Sequence, residues 1–66
     1  MKNRIRVARA EVRMTQQQLA EAIGVSRQTI NAIESGKFVP STVLALKMAR
    51  LFDKNVEEIF QLDDED

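Results

Sequence analysis

The chain has 66 residues, ten basic and ten acidic side chains, a formal net charge of zero and 44% hydrophobic residues. That is enough for one domain with a small core and no more. It contains no Cys, His or Tyr, which excludes disulfides and thiolate or imidazole metal sites and removes the commonest nucleophiles and general bases.

The longest apolar run, residues 43–46, is far short of the ~20 residues that span a bilayer. No apolar stretch follows the basic start of the chain as it does in a secretory signal. A cytoplasmic protein with no membrane partner is therefore expected. Glu57 and Glu58 are adjacent and point in different directions on a helix, and the acidic residues lack EF-hand spacing. No enzyme activity, metal, cofactor or small-molecule ligand is implied.

The balanced charge hides an asymmetry. Residues 1–37 hold seven basic and three acidic residues, net +4, whereas residues 38–66 hold three basic and seven acidic, net −4. Such polarity suggests a basic working face and an acidic end turned away from it.

In chain order the pattern is helical with almost no strand signal. Ile5, Ala8 and Val12 recur at helical spacing and predict a first helix over residues 3–13. Thr15 with Gln18 three residues later has capping-box spacing, and opens a second helix that turns Leu19, Ala20 and Ile23 inward and stops at Gly24. Ser26 caps a third helix, which buries Ile30 and Ile33 and stops at Gly36. Ser41, after Pro40, caps a fourth helix reaching about Phe52, and a short fifth helix is expected over Val56 to Phe60. Residues 1–62 read as the domain and 63–66 as an acidic, disordered tail.

Two helices joined by a short Gly-containing turn form a helix-turn-helix pattern, here residues 16–23 and 27–35. Opposite Ile30 and Ile33 the third helix presents Gln28, Asn31, Ala32 and Ser35, with Arg27 in its first turn. Gln and Asn match adenine bidentately, Arg matches guanine, and a methyl suits thymine. Arg27, Gln28, Asn31 and Ala32 are accordingly candidate base readers in a DNA major groove. The bland alternative is a solvated face. Arg9 and Glu34 each lie at the margin of a core face, where an ion pair would bridge the first and third helices.

The segment TQQQLAEAIGVSRQTINAIESGKFVPS, residues 15–41, resembles the Xre/Cro-type helix-turn-helix family, which includes the phage repressors. The likeness runs from residue 3 to about 61 and is strongest to small stand-alone members. It implies an all-α, compact five-helix, lambda-repressor-like domain that binds double-stranded DNA. It also implies phosphate contacts from Gln16 and from the segment around Ser35, Lys37 and Ser41, to which Thr15 and Ser26 are added as cap residues. Where the family commonly has Gly-Val before the last helix, this chain has Asp53-Lys54.

Relatives usually dimerise on a pseudo-palindrome. The fourth helix is unusually apolar. Either it is the central helix of the fold, or its surplus (Val43, Leu44, Leu51) joins Val56, Ile59, Phe60 and Leu62 in a homodimer contact. The expected function is a sequence-specific transcriptional repressor. The competing expectation is an antitoxin-type or protein-interaction module, for which Phe38 and Phe60 are the exposed aromatic candidates.

Overall fold

A computed structural model of the chain describes residues 1–66. Five helices and one two-residue ladder follow in the order β1 (Lys2–Asn3), α1 (Ile5–Glu11), α2 (Gln16–Ile23), α3 (Arg27–Glu34), α4 (Thr42–Phe52), α5 (Val56–Ile59) and β2 (Phe60–Gln61).

Local chemistry sets the helix ends. The Thr15 hydroxyl accepts the Gln18 N–H at 3.0 Å, while the Gln18 side chain accepts the Thr15 N–H at 2.9 Å. Two donors that the helix itself leaves free are thereby satisfied. Ser26 and Ser41 cap α3 and α4 in the same manner, accepting from Thr29 and Leu44 at 3.1 and 3.2 Å. Gly24 ends α2 at φ +78°, where a side chain would add strain, and Gly36 follows α3 at φ +79°. Asp53 takes the corresponding left-handed position after α4, at φ +54°, and Arg13 does so between α1 and α2, at φ +55°.

Twelve residues form one core: Ile5 and Ala8 of α1, Leu19, Ala20 and Ile23 of α2, Ile30 and Ile33 of α3, Met48, Ala49 and Phe52 of α4, Ile59 of α5, and Phe60. The α2–α3 pair is the most intimately packed pair of elements. Ala45, Met48, Ala49 and Phe52 give α4 an inward stripe, while Val43 and Leu46 stay exposed.

The ends of the chain depart from the helical reading. Lys2 and Asn3 pair antiparallel with Gln61 and Phe60, and the Arg4 N–H extends the contact to the Ile59 carbonyl at 2.7 Å. The first helix therefore starts at Ile5 rather than residue 3. It ends at Glu11, leaving Val12 half exposed at 51% instead of in the core. The fifth helix stops at Ile59 because Phe60 is already extended, at φ −121° and ψ 132°. Asn3 joins two regions, since its amide donates to the Ile33 carbonyl of α3 at 2.9 Å while its oxygen accepts the Ile5 N–H at 3.3 Å.

Candidate nucleic-acid interface

The position of α3 is fixed from both sides. Ile30 and Ile33 anchor it in the core. At its far end the Glu34 side chain, only 2% exposed, accepts from Arg9 Nε at 2.7 Å and from a terminal guanidinium nitrogen at 3.0 Å. The third Arg9 nitrogen donates to the Met14 carbonyl at 2.9 Å. Gln16 adds its amide to the same carboxylate at 3.3 Å, and Arg6 lies 3.7 Å away. One buried carboxylate thus ties α3 to α1 and to the start of α2, with forked geometry that specifies angle as well as distance.

With its inner face and one end held, α3 offers the other face to solvent. Arg27, Gln28 and Asn31 are exposed and Ala32 is half-buried. Together with Lys37 and Gln17 they line an open hollow of about 600 Å³ in which Ala32 is the one hydrophobic residue. Beside it a second open hollow is lined by Arg9, Thr15, Gln16, Gln17 and Arg27. The first carries forked groups suited to base edges; the second combines a helix N-terminus with amide, hydroxyl and guanidinium donors suited to phosphate. Gln17 is not among the residues expected from the sequence, because only the way α2 crosses α3 shows which side chain of α2 leans over the exposed face of α3.

The hydroxyls divide into two groups. Thr15 and Ser41 accept a backbone N–H and keep their own protons free to donate. Ser35 gives its proton to the Ala32 carbonyl at 3.2 Å, and Ser26 and Thr29 share one hydrogen bond at 3.0 Å. Gln16 is half-buried with one amide N–H committed to Glu34 and the other free.

The residues read from the sequence as a dimer contact do not form one surface. Ile59 and Phe60 are corrections: at 0% and 7% exposure they belong to the core, packed there by the β1–β2 ladder, and Phe60 is not an exposed aromatic. Leu44 and Val56 are half-buried against that core. Leu51 projects about 140° around α4 from Leu46, at about 100° per residue. Val39 at 63%, Val43 at 61% and Leu46 at 56% are exposed at and before the first turns of α4, while Val7 and Val12 are exposed at α1. Beside Val39 and Leu46 runs a shallow groove of about 240 Å³ lined by Met1, Pro40, Ala45, Val56 and the edge of Phe60. Leu62, 75% exposed, follows the ladder.

No helix is long and apolar enough to cross a membrane. The family model described as helix-turn-helix matches residues 5–59. The chain is 45% identical over 65 residues to the HTH-type transcriptional regulator YgzD of Bacillus subtilis, with 98% of each chain covered. It is 48% identical over 66 residues to an HTH-type transcriptional regulator of Methanocaldococcus jannaschii, with both chains covered completely. Among solved structures it is similar to the restriction-modification controller protein C.AhdI of Aeromonas hydrophila, with a TM-score of 0.76, 30% identity and 85% of each chain covered. A capped helix pair of this geometry, with its third helix pinned inside and polar outside, agrees with those likenesses, and the chain belongs to the Xre/Cro-like helix-turn-helix family of DNA-binding transcriptional regulators, which are not enzymes.

Proposed function

We propose that the protein is a cytoplasmic, sequence-specific repressor that places α3 in the major groove of double-stranded DNA and binds a pseudo-palindromic operator as a homodimer. The observation that carries this reading is the exposed hollow in which Arg27, Gln28, Asn31 and Ala32 share one face of a helix pinned at its opposite side. In it Arg27 reads guanine, Gln28 and Asn31 read adenine, and Ala32 meets a thymine methyl. Thr15, Gln16, Lys37 and Ser41 hold the flanking phosphates; Ser26 and Ser35 join them by redirecting hydroxyls that serve the helix in the free protein.

Size argues for two copies. The longest dimension of one domain is 31 Å, and it carries a single recognition helix. Half-sites one helical turn apart are separated by about 34–36 Å, so one copy reads one half-site. The face carrying Val39, Val43 and Leu46 supplies the apolar surface for the second copy, with Val56 in the adjoining groove and Leu62 at the margin of that contact.

Selection of binding sites from a random duplex pool tests the proposal. Enrichment of a pseudo-palindrome with half-sites about one turn apart is expected. Enrichment of single half-sites would remove the dimer, and binding without enrichment would remove base reading. Absence of binding would favour the second reading, a protein-interaction module using the same exposed apolar face.

A further inference from the structure

We infer that Gln17 of α2 is a specificity-determining residue that reads adenine in one A·T pair at the edge of the half-site, beyond the base pairs contacted from α3. The inference rests on the base-reading role proposed above.

Gln17 and Arg27 are the two residues that line both open hollows, the base-facing one and the phosphate-facing one. They therefore stand on the ridge between them, where the floor of a major groove meets its wall. Gln17 is exposed, yet its amide is held: Nε2 donates to a Glu21 carboxylate oxygen one turn along α2, at 3.0 Å. A carboxylate only accepts, so this bond fixes which end of the amide faces Glu21. Oε1 and the second N–H are left without a partner in the protein. That acceptor–donor pair is the complement of adenine N6 and N7.

Glu21 also argues against the simpler role of a phosphate contact. A phosphate drawn to Gln17 would approach the Glu21 carboxylate as well, whereas an adenine edge carries no net charge. Glu21 is thus a positioning residue for Gln17, and its negative charge steers Gln17 away from the backbone.

The test is site selection with wild-type protein, Gln17→Ala and Glu21→Ala, followed by affinity measurements on the selected site and on random DNA. Gln17→Ala keeps a good helix former at an exposed position, so an unchanged melting temperature is expected. The preference for A·T at one edge position should vanish, with affinity for the selected site falling about five- to thirty-fold and affinity for random DNA changing less than about twofold. Glu21→Ala should weaken that same preference without moving any other. Identical base preferences in wild type and Gln17→Ala would overturn the inference, as would equal losses on both DNAs. A wild-type pool without enrichment would overturn the base-reading proposal and this inference with it, and the wild-type arm alone reveals that case.

Discussion

The segment from Thr15 to Glu34 and the joined ends of the chain are held by different kinds of interaction. In the first, each helix end is set by a residue within three positions of it, and a single buried carboxylate fixes the whole pair against α1. In the second, Lys2–Asn3 finds Phe60–Gln61 across nearly the full length of the chain. The Met1 amino group then meets Asp63 at 2.9 Å and Asp66 at 3.2 Å at the surface. The contrast is between local caps joined by one desolvated ion pair and a long-range closure whose ion pairs lie at the surface.

Removing the buried partner should expose that difference most strongly. Arg9→Met leaves Glu34 buried with only Gln16 and the more distant Arg6 nearby. A stranded buried charge costs up to about 3–5 kcal/mol, and the remaining neighbours favour the lower end. In a domain of this size the melting temperature should fall by more than about 10 °C. An unchanged thermal transition would mean that the pair contributes nothing. Gly24→Ala comes next. No atom lies within 4 Å of the added Cβ, so its cost is the left-handed backbone alone, about 1–2 kcal/mol. Chemical denaturation should show a lower midpoint with an unchanged slope.

Outside that segment the expected effects shrink. Lys54 reaches Glu11 at 3.3 Å with side chains 31% and 53% exposed, so Lys54→Ala should cost no more than about 0.5 kcal/mol by the same measurement. A loss approaching that of Arg9→Met would erase the contrast. The terminal clasp should be visible by pH alone. Hydrogen bonds from the Asp63 N–H and then from the Met1 ammonium hold the Asp66 carboxyl below its ordinary 3.8, and Asp63 and then Asp66 raise the Met1 amine above its ordinary 8.0. The carboxylate's contribution is present above 3.8 and fades as pH falls through the lowered value. The amine's contribution is full below 8.0 and fades as pH rises through the raised one. Amide chemical shifts of Asp63 and Asp66 should therefore stay constant between those limits and move outside them. A smooth drift across neutral pH would rule the clasp out.

The same contrast explains what the sequence made legible. Thr15 with Gln18, Gly24, Ser26 and Ser41 announce their roles because a cap or a left-handed turn is decided by neighbours in the chain. The outward set Arg27, Gln28 and Asn31 follows from the spacing of Ile30 and Ile33. The ladder was hidden because two residues at each end carry no period, and their pairing depends on where α5 ends. That pairing also decides the fate of Ile59 and Phe60, which look like surplus apolar residues until the N-terminal strand covers them. The place of Gln17 likewise needs the crossing of two helices, which no local pattern encodes.

The full commitment of Arg9 inside the protein has a consequence for counterions. It lines the hollow beside the start of α2, yet all three of its guanidinium nitrogens are engaged and its charge is matched by Glu34. Arg9 should therefore displace no cation from a DNA phosphate, whereas Arg6, 80% exposed beside a carboxylate whose charge Arg9 already matches, remains free to do so. Because the slope of log affinity against log salt counts displaced ions, at about 0.9 per neutralised phosphate, it should be shallower than the seven basic residues of positions 1–37 suggest. The missing increments measure how much positive charge the fold spends on holding its own recognition helix.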